Sequence, residues 1–395
     1  MGKLFTGIAD VTDDKEVLEF KNFIFKHPFL TIAAKKLEDV IKFSLAGQII
    51  YLVGPSGVGK TTLIDKAASE LISELMPTLM ADPGQVPLLR VEAPAPIRGR
   101  FDWTLFFRQA LINLEEPHVD KKIDYGVNTI FRSPEGKLEI SPETSGDHFL
   151  VALGNAIKFR KVQGVIIDEA ERMAKAGPGM NMNDSLEIVR VFPDTFQTVT
   201  ILVGTYDLLY ISTNSKLSRR SRVIIFPRYR AEIKSQRVIY SEILKRFEYK
   251  LGQLFSKPPD LLSIEPYLYL YSMGCVGILK PWLYEAFRQA KNEKAETLTI
   301  KHLDAVRKSA QQISSLLEEA KKGEAHVKKS ESKQVRDALA IRLGLSKGIL
   351  EIKPNSQEDK DVKEEINAKK KKPKRWPGER NPKRDRTGKQ EPGPR

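Results

Sequence analysis

Gly54-Pro55-Ser56-Gly57-Val58-Gly59-Lys60-Thr61 is a glycine followed by four residues and then Gly-Lys-Thr, the order of a phosphate-binding loop. An apolar run from Gln48 to Val53 leads into this loop, and a helix-forming stretch from Thr62 to Glu74 leaves it. Backbone N–H groups of the loop and of the helix N-terminus can therefore converge on an anion. A Gly-rich turn that matches by chance is the alternative, and the flanking strand and helix argue against it. The pattern predicts a nucleotide phosphate site.

Two side chains of the loop carry its expected chemistry. Lys60 is predicted to bridge the β- and γ-phosphates, and the Thr61 hydroxyl to ligate Mg²⁺. The predicted cofactors are therefore ATP and Mg²⁺. The predicted nucleotide-binding residues are Gly54, Pro55, Ser56, Gly57, Val58, Gly59, Lys60, Thr61 and Thr62.

A second part of the site is predicted where the apolar run Gly164 to Ile167 ends in Asp168 and Glu169. Asp168 is expected to hold Mg²⁺ through its water shell, and Glu169 to polarise the water that attacks the γ-phosphate. Two acids that merely begin a helix are the alternative. Together with the phosphate loop, the pair predicts an ATPase rather than a protein that only binds nucleotide.

Two further catalytic candidates follow in the sequence. Thr205, after the apolar run Thr198 to Val203, is predicted to contact the γ-phosphate or the attacking water, although a hydroxyl residue opening a turn explains it equally simply. Arg220 is predicted to act as an arginine finger on the nucleotide of a neighbouring subunit, with Arg219 as the reserve and Arg222 as a partner for surface acids. A solvated basic loop is the alternative.

Continuously apolar runs predict strands that are covered on both faces, as in a parallel sheet of an α/β protein. One helix between them is predicted from the apolar stripe of Trp103, Phe106, Phe107, Ala110, Leu111 and Leu114. The five predicted strands are Gln48 to Val53, Val86 to Glu92, Gln163 to Ile167, Thr198 to Val203 and Arg222 to Phe226.

The pattern after Pro227 is helical and predicts a smaller all-helical lid domain. Its predicted helices are Ala231 to Leu251, Pro259 to Met273, Gly277 to Lys291 and Thr299 to Ala320, the last with Thr299 as N-cap. The predicted division is an N-terminal segment 1–21, a nucleotide-binding domain 22–230, a lid 231–321, a linker 322–368 with a possible short helix Lys333 to Leu345, and a tail 369–395.

Charge is concentrated in the tail. The chain of 395 residues has a formal net charge of +14, and Lys369 to Arg395 holds twelve basic against three acidic residues, a net +9. This Pro- and Gly-rich tail is predicted to be disordered and to bind a polyanion, unless it only adds solubility. No apolar run is long enough to span a bilayer, nothing resembles an export signal, and Cys275 is the sole cysteine, so we expect a protein of the reducing cytoplasm.

Taken together, these motifs resemble the AAA+ ATPases over roughly Asn22 to Ala320, and the resemblance implies a P-loop NTPase fold with a helical lid. Within that superfamily the chain is similar to the TniB/TnsC regulators of transposition, relatives of MuB. Three stretches carry this likeness: Val91 to Pro94 with Gly99 to Trp103, Leu202 to Thr205, and Phe226 to Tyr229.

The resemblance implies partners. It implies a ring or filament of ATP-bound copies on double-stranded DNA in a bacterial cytoplasm, which recruits a transposase and responds to a target-selection protein or an RNA-guided complex. Hydrolysis is then expected to disassemble it. Loops inside such an oligomer contact DNA without reading its sequence. The candidate contacts are Arg98, Arg100, Lys121, Lys122 and Arg132.

One position departs from the wider AAA+ pattern. Where many members carry a lid arginine that reaches the nucleotide, this chain has Gly277, and Lys280, about one turn on, is the candidate substitute. Two other functions remain open at this point. One is an AAA+ helicase loader or replication initiator, and the other is a nucleotide-gated scaffold in which hydrolysis is dispensable.

Overall fold

A computed structural model describes residues 15–97, 99, 101–117, 119, 130–132, 138–140, 146–174, 189, 192, 195–212 and 218–345. All statements below refer to these residues. The predicted basic tail lies outside them, as do residues 1–14 of the predicted N-terminal segment and residues 346–368 of the predicted linker.

The predicted five-stranded parallel sheet is confirmed, with its strands ending within two residues of the predicted positions. Its strand order is β2-β5-β6-β1-β7, with every neighbouring pair parallel. A separate antiparallel hairpin, β3–β4, precedes α5 in the chain. The strands are β1 Ile49–Val53, β2 Leu88–Glu92, β3 Ile130–Arg132, β4 Leu138–Ile140, β5 Gly164–Asp168, β6 Val199–Gly204 and β7 Ser221–Ile225.

The three central strands β5, β6 and β1 are buried along their whole length, as their apolar sequences predict. Because all five strands are parallel, their carboxyl ends meet at one edge, where α/β proteins bind ligands. The helices up to β7 are α1 Lys15–Asn22, α2 Pro28–Phe43, α3 Lys60–Ala81, α4 Trp103–Asn113, α5 Gly146–Phe159 and α6 Leu208–Ser212.

The stripe on α4 is core. Phe106, Phe107, Ala110 and Leu111 are buried, and the Trp103 ring packs edge-on against Phe106. This agrees with the expectation from its helical spacing that the stripe packs.

Only helices follow β7 in the described residues. They are α7 Lys234–Gly252, α8 Glu265–Ser272, α9 Val276–Asn292, α10 Ile300–Val306, α11 Ala310–Ser330 and α12 Lys333–Arg342. The expectation of one helix from Thr299 to Ala320 is wrong. The chain breaks after Val306 and restarts with Ser309 as N-cap, whose hydroxyl accepts from Gln312 N–H while the Gln312 side chain accepts from Ser309 N–H. Helix α11 then continues ten residues beyond Ala320.

Helix α1 belongs to the predicted N-terminal segment and packs on the helices that follow the sheet. The Phe20 ring is fully buried, edge-on to Phe247 of α7 and Phe287 of α9. No helix among the described residues has the length and apolar character that crossing a membrane requires.

Candidate nucleotide site

The phosphate loop lies at the carboxyl end of β1, at the edge where the parallel strands finish. Gly57 and Gly59 have φ angles of 76° and 110°, left-handed conformations that favour glycine. Gly59 is the N-cap of α3, and no side chain caps that helix. Its first N–H groups can therefore serve a phosphate, which fits the predicted site.

The Lys60 ammonium lies against the first residues of its own loop. Its Nζ donates to Gly54 O at 3.0 Å and to Pro55 O at 3.2 Å. Burial lowers the pKa of Lys60, and the carboxylates of Glu171 and Glu169 oppose that effect. A half-buried ammonium on the phosphate loop is suited to hold the terminal phosphates of a nucleotide.

Asp168 ends β5 and is buried, with an exposed fraction of 8%. Its Oδ2 accepts from Arg90 Nη2 at 3.0 Å, and Arg90 also pairs with Asp65 of α3 at 2.6 Å. Asp168 and the exposed Thr61 offer oxygen donors of the kind that Mg²⁺ takes together with substrate phosphates, so the residues present fit this ion. The Arg90 pairing was not predicted, because the register that brings β2 beside β5 is a property of the fold.

Glu169 follows with a φ angle of 53°, a left-handed conformation that turns the chain sharply after the strand. Its carboxylate is half-buried and lies 3.7 Å from Arg172 Nη2. Arg172 in turn donates to Glu92 at 2.9 Å and to Ala93 O at 2.8 Å, both at the end of β2. The candidate base is thus linked through one guanidinium to the chain that leaves β2.

Glu171 is an acid of the site that sequence reasoning missed. Its Oε2 is buried without a hydrogen-bond partner, and it lies so close to Gly204 that a Cβ there would be 2.0 Å away. Burial raises the pKa of the Glu171 carboxyl, and the charge of Glu169 adds to this. The repeated acid in Asp168-Glu169-Ala170-Glu171 was the available signal.

Thr205 directly follows β6, beside the start of the phosphate loop. Gly54 N–H donates to Gly204 O at 3.3 Å, and Thr205 is half-buried. This position is compatible with the predicted contact to the γ-phosphate or to the attacking water.

Arg220 lies at the other edge of the sheet. Its carbonyl accepts from Ile49 N–H at 3.0 Å, at the start of β1, and the side chains of Arg219, Arg220 and Arg222 are exposed. The five residues of β7 separate it from the loop by about 16 Å. Arg220 therefore lies one strand length from its own phosphate loop, and its action on a neighbour's nucleotide stays a prediction.

A largely apolar cavity of about 280 Å³ opens beside the carboxyl half of the loop. Val58, Gly59 and Thr62 line one side, and Phe25, Phe226 and Tyr284 are among the aromatic residues that line the rest, a setting suited to a nucleobase. Lys280 also borders this cavity and donates to Lys21 O at 2.8 Å, and burial lowers its pKa.

Gly277, in the first turn of α9, explains the missing lid arginine. A Cβ at this position would lie 2.6 Å from Gly57 O and 2.7 Å from Gly59 N, so no larger residue fits without displacing the loop. The helix backbone itself packs on the phosphate loop.

Helix α11 also contacts the loop, through Glu319. The Ser56 hydroxyl donates to the Glu319 carboxylate, at 2.9 Å from Oε1 and 3.1 Å from Oε2, and Ser56 N–H donates to Oε1 at 3.4 Å. No local sequence pattern predicts this contact, because 263 positions separate the two residues.

The predicted DNA contacts stay a prediction, because four of the five lie outside the described part of the chain. Arg98, Arg100, Lys121 and Lys122 lie outside it, and Arg132 is the last residue of β3.

Comparison with known proteins identifies the domain that carries this site. The sequence profile of the AAA domain family matches residues 45–211, which run from just before β1 to α6. No curated protein matches the chain.

Among solved structures, the chain is similar to the ORC2 protein of Aeropyrum pernix in ADPNP-ADP complexes, with 15% identity, a TM-score of 0.47, and coverage of 75% of this chain and 72% of that one. It is also similar to the ORC1 protein of the same organism in complex with DNA, with 14% identity, a TM-score of 0.46, and coverage of 71% and 65%. A Walker-type ATPase of Pyrococcus abyssi matches with 15% identity, a TM-score of 0.42, and coverage of 85% and 88%. The profile match and the sheet together give the AAA+ P-loop NTPase fold.

Proposed function

We propose that this protein is an ATP-dependent AAA+ regulator of DNA transposition that assembles on double-stranded DNA and is reset by ATP hydrolysis. The observation that carries the proposal is that different groups lie at the two edges of the sheet formed by the strand ends. Acids and a phosphate loop occupy one edge, and exposed arginines occupy the other. A subunit built this way has a nucleotide site that a second copy completes.

The hydrolytic step is assigned to the residues at the loop edge. Lys60 and the loop N–H groups bind the phosphates, and Glu169 takes a proton from the attacking water. Thr61 and Asp168 hold Mg²⁺, which when bound neutralises charge that develops on the phosphates. Thr205 orients the γ-phosphate or the water.

Assembly is assigned to Arg220. Because Arg220 is a strand length away from its own loop, it contributes to hydrolysis only when it reaches the site of a second copy. A lone subunit is therefore a poor ATPase, and a ring or filament is the active form.

DNA binding and transposition rest on the sequence resemblance. The basic residues Arg98, Arg100, Lys121, Lys122 and Arg132 are assigned the sequence-independent phosphate contacts. Of the three stretches that carry the likeness, Phe226 to Tyr229 has a role in the site, since Phe226 lines the nucleobase cavity and Arg228 binds α11. The partners proposed on this basis are a transposase and a target-selection protein or RNA-guided complex.

The test is electron microscopy of the purified protein with double-stranded DNA, in a slowly hydrolysed ATP analogue, in ADP and without nucleotide. We expect rings or filaments on DNA only with the ATP analogue. Glu169→Gln should form them with ATP itself, while turnover falls about 100-fold or more, because the base is lost but the phosphate site is intact.

Arg220→Ala, with Arg222→Ala as the matched control, extends the same experiment. The Arg220 variant should lose the rise in turnover that accompanies assembly, and the control should keep it. Monomeric particles under all conditions, or loss of DNA binding in Glu169→Gln, would contradict the proposed ATP-dependent assembly on DNA.

A further inference from the structure

The two halves of the phosphate loop face different parts of the site. Val58 and Gly59, in the second half, line the cavity suited to a nucleobase. The Lys60 ammonium, which is proposed to bind the terminal phosphates, lies on the carbonyls of Gly54 and Pro55 in the first half. Ser56 directly follows Pro55, so it belongs to the side of the loop that the proposed nucleotide site assigns to the γ-phosphate.

Glu319 therefore places a carboxylate where a γ-phosphate needs N–H and hydroxyl donors. Both oxygens accept from the Ser56 hydroxyl, and one also accepts from the Ser56 N–H. A carboxylate and a phosphate oxygen seek the same donors and carry the same sign of charge, so they compete.

The contact is not an isolated surface pairing, because α11 is fixed along one face. Gly323 lies against the Tyr206 ring, so close that a Cβ there would be 2.1 Å from the ring, and His326 contacts Tyr210 with ring centroids 4.8 Å apart. Glu319, Gly323 and His326 are spaced i, i+4 and i+7, on one side of the helix.

An ion pair between a buried arginine and a half-buried glutamate completes the attachment. Arg228, with 4% of its surface exposed, donates to Glu324 at 2.7 Å and 3.1 Å through two nitrogens. A carboxylate held by such a helix does not move away without cost.

We propose that Glu319 makes the phosphate loop discriminate against ATP in favour of ADP, and that ATP binding releases α11 from the loop. This inference rests on the proposed nucleotide site and adds its regulation. The effect of Glu319 on ATP binding is opposite to that of a lid arginine, because an arginine attracts the γ-phosphate to the lid whereas Glu319 repels it. The ATP form then has a freed α11, and the ADP form a docked one.

The experiment compares binding of ADP and of an ATP analogue with a non-hydrolysable β–γ bond, by calorimetry on the full chain. Glu319→Gln keeps an acceptor for Ser56 and removes the charge. We expect it to tighten binding of the analogue about 10-fold and to change ADP binding less than about 2-fold. The matched control is Glu318→Gln, the exposed neighbour on the same helix, which should leave both affinities unchanged.

A second measurement follows α11 itself. Amide hydrogen exchange in residues 310–330 of the unmodified protein should be faster with the ATP analogue than with ADP. Equal tightening of both nucleotides in Glu319→Gln, or equal exchange in both states, overturns the inference while leaving the nucleotide site standing. Failure of the unmodified protein to bind either nucleotide overturns the proposed function, and this inference with it.

Discussion

The phosphate loop has two sides that are built differently. On its sheet side, formed by the ends of β5 and β6, the neighbours are Asp168, Glu169 and Glu171, with Thr205 beside Gly54. On its helix side, formed by the start of α9 and by α11, the neighbours are the backbone of Gly277 and the carboxylate of Glu319. One side brings the proposed catalytic groups to the loop, and the other brings a helix backbone and the carboxylate proposed to compete with phosphate.

The two sides are also held in different ways. Backbone ladders between five parallel strands fix the sheet side. The contacts that hold α11 on the helix side are a few side-chain contacts, among them the pairing of Arg228 with Glu324. Few long-range contacts make a low-stability unit that can open locally, whereas strands of a central sheet open only with the whole fold. The helix side is therefore where we expect the proposed nucleotide-driven movement.

The largest effect that separates the two sides should come from Arg228→Ala. This change leaves Glu324 without its guanidinium in a half-buried position, which is expected to cost about 3–5 kcal/mol and to lower Tm by about 10 °C. Amide exchange should rise first in α11 and only later in β1, β5 and β6, as followed by mass spectrometry.

The control for Arg228→Ala is Lys257→Ala, which removes an ion pair with Glu296 whose two side chains are 69% and 67% exposed. It should cost less than about 1 kcal/mol. If Arg228→Ala loosens the sheet amides and α11 together, the two sides form one cooperative unit and the comparison fails.

The sheet side could largely be predicted from the sequence because its signals are local. A buried strand and the polar residues that follow it lie within a few positions, so Asp168 and Thr205 could be placed at strand ends, and Lys60 at the start of the helix after β1, from the sequence alone. Even there, Arg90 and Glu171 were missed. Their roles depend on which strands lie next to each other and on how little room Gly204 leaves.

The helix side could not be predicted in the same way. The apolar spacing of Leu303, Val306, Ala310 and Ile313 fits one continuous helix, and only the capping residues Ser309 and Gln312 signal the break. The contact between Glu319 and Ser56 joins residues that are far apart in sequence and has no local pattern. The sequence shows that Gly277 replaces the lid arginine. The reason, the close approach of α9 to the loop, depends on the tertiary structure and could not be predicted.

A smaller effect is expected from Gly277→Ala, which tests whether the helix side presses on the loop. The added methyl group would meet Gly57 O and Gly59 N, and the forced shift should cost about 1–3 kcal/mol. Binding of ADP and of the ATP analogue should weaken together by about 10-fold, unlike the selective change expected for Glu319→Gln. Calorimetry with both nucleotides makes this comparison.

Gly84→Ala is the control for Gly277→Ala, since the nearest atom to its new Cβ would be Asp82 Oδ1 at an ordinary 3.4 Å. It should leave nucleotide binding unchanged. Unaltered nucleotide binding in Gly277→Ala would mean that α9 shifts to accommodate the methyl group and that its contact with the loop does not affect nucleotide affinity.

The smallest effect should come from the sheet side, where Glu171→Gln removes a charge that burial disfavours. Because burial raises the pKa of the Glu171 carboxyl in the folded protein, its ionised form costs stability above the unfolded pKa, and below that value both states are protonated. The variant should therefore raise Tm by about 2 °C at pH 8, and the gain should vanish as pH falls below about 4. Thermal unfolding without nucleotide at several pH values measures this, with exposed Glu242→Gln as control. If the rise in Tm of Glu171→Gln persists at low pH, the stabilisation comes from a change in side-chain packing against Gly204 and not from removal of the charge.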